Sequence, residues 1–307
     1  MKKKNLFFFA ILTFFVWPAF SIEAPITSKT ATVEIIDVQE LAKIQDQVSV
    51  IDARQSEFEK GHIPNSQNMD WKNWSEEKPG LKNAVFGDQA KWGRILTDNS
   101  VQNRLRQLGL SHNKLIVVVG GGRKSWGEEG RIAWNLLFWG AQRVALLDGG
   151  YPRWAQMKLP VQKGKAKPAK PGDFIYSLNL LRRASKADVF DNLKNSQRLL
   201  LDVRSLKEYD GQKMPGQKRG GHIPKSKLVE FNGLYQEDGR YINATQLKRL
   251  VGSEISEKPI TYCTGGVRSA LLALLLEARL GIFAANYDAS MWEWSSDEKL
   301  PVEKKLK

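Results

Sequence analysis

One cysteine in 307 residues, Cys263, excludes an internal disulfide. It leaves a buried inert thiol, an intermolecular bridge or a reactive thiol. Histidine is almost as scarce. His62, His112 and His222 lie far apart, and with no second cysteine they spell out no metal-ligand set, so neither a metal nor another cofactor is expected. Long low-complexity tracts are missing, and 42% hydrophobic against 26% charged residues excludes global disorder and suffices for the cores of two ordinary domains. Nucleic-acid motifs are missing too. The formal net charge of +14 comes from lysines and arginines scattered along the chain, which describes a solvated basic face that attracts anions generally.

The N-terminus has the three parts of a cleavable signal peptide. Lys2, Lys3 and Lys4 are basic, Leu6 to Val16 is apolar, and Ala19-Phe20-Ser21 supplies small residues for cleavage. The apolar run is short for a membrane span and is soon followed by Pro18, so residues 1–21 are expected to be removed, an uncleaved anchor being the alternative. The mature chain would then carry +11, reside in the periplasm or outside the cell, and make no stable membrane insertion.

What the sequence does contain is one unit written twice. Val48 to Ser66 reads VSVIDARQSEFEKGHIPNS, and Arg198 to Ser226 reads RLLLDVRSLKEYDGQKMPGQKRGGHIPKS. Each has an apolar run, Asp-x-Arg, an acidic-aromatic pair and Gly-His-Ile-Pro. Downstream, Leu147-Asp148-Gly149-Gly150 with Trp154 matches Tyr287-Asp288-Ala289-Ser290 with Trp294, and Leu159-Pro160-Val161 matches Leu300-Pro301-Val302. The units span 32–161 and 174–303. Between them lies QKGKAKPAKPGD, residues 162–173, whose four lysines, two prolines and two glycines describe an extended, solvated linker. In the first unit Val48–Asp52, Leu115–Val119 and Val144–Leu147 have the composition of strands buried on both faces, and Ser100–Leu108 and Arg131–Trp139 have helical spacing. The alternation predicts an α/β fold in two tandem domains, each a mostly parallel sheet flanked by helices, with sites at the carboxyl ends of the strands.

Cys263 sits at such an end. A short strand, Ile260–Tyr262, leads into it, Thr264-Gly265-Gly266-Val267-Arg268 follows as a tight loop, and a strongly helical stretch begins near Ser269. A thiol before a helix N-terminus faces unpaired N–H groups that favour its thiolate. Gly265 and Gly266 let the backbone curl into an anion cradle, and Arg268 closes it with a fixed positive charge. In the first unit, alignment of Val119 with Tyr262 puts Gly120 where Cys263 stands, so that half has no nucleophile. There GGGRKS lacks the spacing of a phosphate loop. His222 tempts as a general base, but His62 repeats it in the half without a nucleophile, which makes both structural. Trp71, Trp74 and Trp126 are expected in the core or between domains.

On Asp-x-Arg, Gly-His-Ile-Pro, the Cys-centred loop and the Asp segment before a Trp, residues 32–303 resemble a tandem-domain rhodanese, a family that includes thiosulfate and 3-mercaptopyruvate sulfurtransferases. The resemblance implies that Cys263 takes a sulfane sulfur as a persulfide from a small anionic donor and passes it to a thiophilic acceptor. Thr264, Gly265, Gly266, Val267 and Arg268 would be the loop around the outer sulfur. Asp202 and Arg204 would support that loop, with Arg204 either a structural ion-pair partner or a pocket residue. Four residues separate Cys263 from Arg268, one fewer than the cysteine phosphatases need for a tetrahedral oxyanion, which leaves phosphatase chemistry a weak alternative.

The loop departs from both tandem classes. Thiosulfate-specific members show Cys-Arg-Lys-Gly-Val-Thr and mercaptopyruvate enzymes Cys-Gly-Ser-Gly-Val-Thr, whereas this one reads Cys-Thr-Gly-Gly-Val-Arg. Where both classes place a second arginine stands Glu208, expected to pair with Arg268 as in single-domain members. Gly211–Gly220 has no counterpart in the first unit. Its Lys213, Lys218 and Arg219 either steer an anionic donor or form a solvated basic loop. The leading expectation is a sulfurtransferase. The alternatives are a non-catalytic persulfide carrier or redox-binding module serving a protein partner, and a structural relic.

Overall fold

The computed structural model describes residues 32–76, 93–252, 254–255 and 258–304; the signal peptide expected at residues 1–21 lies outside them. The first unit holds β1 (Thr32–Ile36), β2 (Ser49–Asp52), β3 (Gln67–Asn68), β4 (Ile116–Val119) and β5 (Arg143–Leu147). They form one parallel sheet in the order β1-β5-β4-β2-β3. The second unit holds β6 (Leu200–Asp202), β7 (Lys227–Leu228), β8 (Ile260–Tyr262) and β9 (Ala285–Asn286), also parallel, in the order β7-β6-β8-β9. Where β1 would recur, a single parallel bridge joins Arg183 to Asn286.

Helices α1 (Val38–Ile44), α2 (Ser100–Gln107), α3 (Glu128–Phe138) and α4 (Gly150–Gln156) flank the first sheet. Helices α5 (Lys186–Asn195), α6 (Leu206–Tyr209), α7 (Ala244–Val251), α8 (Arg268–Leu280) and α9 (Ser290–Trp294) belong to the second. The two-domain α/β architecture expected from the repeat is therefore present. Helix α3 starts three residues earlier than its apolar spacing predicts. Gly127 enters it in a left-handed conformation (φ +78°), and Glu128 and Glu129 occupy its first turn, where acids suit the positive end of the dipole. No helix among the described residues is long and apolar enough to cross a membrane.

The duplication extends from sequence to bonding. Trp154 Nε1 donates to Pro160 O at 2.8 Å, and Trp294 Nε1 to Pro301 O at 2.9 Å. Arg54 Nη2 donates to Gly61 O at 2.7 Å, and Arg204 Nη2 to Gly221 O at 2.8 Å. His62 stacks on Phe58 with ring centroids 3.8 Å apart, and His222 on Tyr209 at 3.6 Å. Segment 162–173 lies along the first domain, tied by Gly164 N–H to Glu59 O and by Gly172 N–H to Arg106 O, both at 2.8 Å.

Helices α3 and α8 are buried along most of their length because each is covered twice, by its own sheet and by the other helix. They cross where Gly130 meets Leu271, so closely that a Cβ on Gly130 would run into the Leu271 backbone. One apolar core passes through this crossing, from Ile51 and Val118 to Leu201 and Leu274. Two aspartates reach across in opposite senses. Asp148 accepts the Tyr241 N–H and Asp288 the Ile95 N–H, both at 2.8 Å. The carboxyl end of β8 is thereby closed by residues of the first domain.

Candidate active site

Strand β8 ends at Tyr262, and Cys263 follows, 1% exposed, at the bottom of the loop that turns into α8. Its position is pinned from the first turn of α9. Cys263 N–H donates to Ser290 Oγ at 3.0 Å, Met291 N–H to Cys263 O at 3.2 Å, and Trp292 N–H to Thr264 O at 2.9 Å. Ser290 holds φ +51°, a left-handed conformation that serine adopts at a cost, and its counterpart in the first unit is Gly150 at φ +57°. The serine thus contributes its hydroxyl in a conformation the sister unit leaves to glycine.

The loop turns its N–H groups toward sulfur because its carbonyls are held on the outside. Arg131, a buried residue of α3 in the first domain, donates through Nη1 to Gly266 O at 3.2 Å and Gly265 O at 3.5 Å, and through Nη2 to Gly93 O. Asn286 Nδ2 adds a bond to Gly266 O at 3.0 Å. Gly266 N–H then donates to Cys263 Sγ at 3.2 Å. Gly266 has φ +75°, and a Cβ at Gly265 would overlap Trp292, so both glycines are required where they stand.

Arg268 closes the loop and pairs with Glu208, Nη1 to Oε2 and Nη2 to Oε1, both at 2.8 Å. Thr264 Oγ1 donates to Glu208 Oε1 at 2.8 Å and accepts from Arg268 Nη2 at 2.7 Å. Burial alone would raise the Glu208 carboxyl, but the bonds and charge of Arg268 hold it down at about 2. For Cys263, burial pushes the thiol up, yet the Arg268 charge, the hydroxyl and N–H of Ser269 and the Gly265 N–H outweigh it and leave the thiol below its ordinary value. This loop can hold an anionic sulfur.

The structure gathers Cys263, Thr264, Gly265, Gly266, Val267, Arg268 and Glu208 in one place. Asp202 and Arg204 stand apart from the cleft. Both are fully buried, joined through Arg204 Nη2 and Asp202 Oδ2 at 2.6 Å, and they brace the end of β6 against Gly221. Arg204 is a strut, as Arg54 is in the first unit. His222 is likewise occupied, its Nδ1 lying 2.8 Å from Tyr209 O. In the inserted loop, Arg219 spends its guanidinium on the carbonyls of Ser295, Leu300, Trp294 and Asp297, which excludes it from donor binding. The members of that loop that face the cleft are Met214 and Pro215.

The cleft above Cys263 has a volume of about 400 Å³. The first domain lines it with Trp71, Lys72, Trp126 and Glu128, and Trp292 faces them from the second. Trp126 lies between the domains, one of the two places expected for it, but is 57% exposed at this mouth, whereas Trp74 is buried against Trp139. Arg131, Ser290 and Trp126 were not marked as site residues by sequence reasoning. Ser290 standing where the sister unit has Gly150 was the available signal; Arg131 and Trp126 carried none, because their roles depend on the other domain.

In the first unit the corresponding place is filled. Gly120 follows β4 as Cys263 follows β8, and a Cβ there would overlap the Glu129 carboxyl. Glu129 Oε1 accepts from Tyr235 Oη at 2.9 Å and Tyr241 Oη at 3.2 Å, both from the second domain. Complete burial, reinforced by the neighbouring Glu128 charge, raises its carboxyl to about 7. Among the described residues, no group of histidine, cysteine and acidic side chains could hold a metal ion.

Two parallel α/β units facing each other, one with a cysteine cradle and one with that cradle plugged, define a tandem protein with a single cysteine site. The rhodanese-like domain model matches residues 37–157 and again 185–297, and the chain belongs to that family. It is 26% identical over 262 residues to the sulfur carrier protein TtuD of Thermus thermophilus, covering 80% of this chain and 87% of that one. Among solved structures it is similar to YnjE, with a TM-score of 0.77 at 21% identity over 89% of this chain and 69% of that one. It also superimposes on SseA from Escherichia coli, described as a 3-mercaptopyruvate sulfotransferase, with a TM-score of 0.69 at 21% identity over 84% and 99% of the two chains.

Proposed function

We propose that the chain is an exported sulfurtransferase that carries a sulfane sulfur on Cys263. The observation that supports this most is the lone thiol set among inward N–H groups beside Arg268, with its pKa lowered despite full burial. In the first half-reaction the Cys263 thiolate attacks the outer sulfur of a donor such as thiosulfate. A new S–S bond forms, the donor's S–S bond breaks, and sulfite leaves with the bonding pair. In the second, an acceptor such as cyanide attacks the outer sulfur, thiocyanate departs and the thiolate is restored. The loop N–H groups and Arg268 stabilise anionic sulfur throughout, and the two half-reactions predict ping-pong kinetics. 3-Mercaptopyruvate is the alternative donor. Export rests on the sequence of residues 1–21.

The likeness to TtuD favours one second reading, a persulfide carrier that gives its sulfur to a protein partner without turning over small acceptors. Sulfur transfer to cyanide from thiosulfate and from 3-mercaptopyruvate, measured for the mature protein and for Cys263→Ser, tests the proposal. Turnover by the wild type and none by the variant is expected. Equal turnover by both overturns it, and a wild type that takes up sulfur without turning over selects the carrier.

A further inference from the structure

Among the described residues, the walls of the Cys263 cleft above the N–H cradle offer a small inorganic dianion few free cations. Arg268 already faces Glu208 through two bonds and also serves Thr264. Lys72 shares the lining with the acid Glu128. Among the described residues, the cleft therefore offers little uncompensated positive charge. What it does offer is indole surface. Trp71, Trp126 and Trp292 line it, with Met214 and Pro215 at the side of the inserted loop.

Trp126 differs from the other two tryptophans. Trp71 and Trp292 are each 6% exposed, whereas Trp126 presents 57% of its surface at the mouth. It is nonetheless held in place. Its backbone N–H donates to Glu128 Oε2 at 2.9 Å, and the guanidinium carbon of Arg268 lies 5.4 Å from its ring centroid. A large apolar ring fixed beside a nucleophile and left open to water gains by being covered. Thiosulfate has no apolar surface with which to cover it.

We infer that Trp126, supplied by the domain that lacks a nucleophile, is a specificity-determining residue that selects an organic sulfur donor with a flat apolar body over an inorganic one. The inference rests on the persulfide reading of Cys263 and names the class of donor for it. For a thiosulfonate, RSO2S⁻, the Cys263 thiolate attacks the terminal sulfur. The cysteine S–S bond forms, the donor S–S bond breaks, and the sulfinate RSO2⁻ leaves with the bonding pair. No proton moves and no oxidant is consumed.

Benzenethiosulfonate, methanethiosulfonate and thiosulfate, each with cyanide as acceptor, form the test, with thiocyanate production and the mass of the donor-treated protein as readouts. Because aryl and alkyl sulfinates differ as leaving groups, the quantity to follow is the ratio of kcat/KM between donors, compared between wild type and variants. The benzene-to-methane and benzene-to-thiosulfate ratios are expected to fall about tenfold in Trp126→Ala, mainly through KM, and to be largely kept in Trp126→Phe. Unchanged ratios in Trp126→Ala, or an equal loss with all three donors, overturn the inference while leaving the persulfide reading intact. If no donor adds sulfur to Cys263, the persulfide reading fails and this inference fails with it.

Discussion

At the scale of the residue, the contest at Cys263 is between burial and charge. A thiol that is 1% exposed in apolar surroundings is ordinarily inert, whereas here Arg268 and the N–H groups around the sulfur favour its thiolate. Alkylation by iodoacetamide should therefore reach half its maximal rate at a lower pH than for an ordinary exposed cysteine peptide measured alongside. Removing Arg268 alone would strand the Glu208 carboxylate in a buried site, at a cost of about 3–5 kcal/mol, so the informative variant removes both. Arg268→Leu with Glu208→Leu should move the alkylation midpoint upward, and an unchanged midpoint would show that the arginine does not tune the thiol. Cys263, its loop and the Glu208–Arg268 pairing were all legible in the sequence, because the groups that act on sulfur are close in sequence or recognisable as an exchanged arginine. The roles of Arg204 and Arg219 were not legible. Each carries an anion-binding and a structural reading until its carbonyl partners are seen.

At the scale of the element, the loop keeps its shape because α3 of one domain presses on α8 of the other. Gly130 permits that approach, and Arg131, one residue later, binds the carbonyls of Gly265 and Gly266. Gly130→Ala should force the helices apart and lower sulfur transfer about tenfold or more, with a raised Cys263 alkylation midpoint showing that the loop itself has loosened. Loss of thermal stability with unchanged alkylation would mean that the crossing serves the fold only. The same local comparison explains the silent unit. Gly120→Cys would have to displace the Glu129 carboxyl, so this variant should gain no second reactive sulfur and should lose stability, as overpacked cores do by about 1–3 kcal/mol. A persulfide on the introduced cysteine would contradict the account of the plug. The central strands and the helices α2, α3 and α8 were legible to within a few residues, because period and turn residues specify them. The helix crossing was not, since Gly130 has no local reason to be glycine.

At the scale of the whole molecule, the two domains share an interface that contains both the site and its plugged twin. The repeat was readable from the chain, but nothing in the sequence says that Glu129 turns toward Tyr235 and Tyr241 across that interface. Its carboxyl sits at about 7, chiefly through burial, above the usual 4.5. A folded-state value raised in an acid means that the folded protein binds the proton more tightly. Stability should accordingly fall as pH rises from about 4.5 to 7, by an amount on the order of 3 kcal/mol from this group. Glu129→Gln, which keeps an oxygen to accept from the tyrosines, should flatten that slope in denaturant titrations, and an unchanged slope would assign the pH dependence elsewhere. The central claim concerns the sulfur itself. Intact-mass measurement of the protein after donor treatment should show a gain of about 32 Da, one sulfur atom, located on Cys263 and removed by cyanide. No gain with any donor, or the same gain in Cys263→Ser, would contradict it.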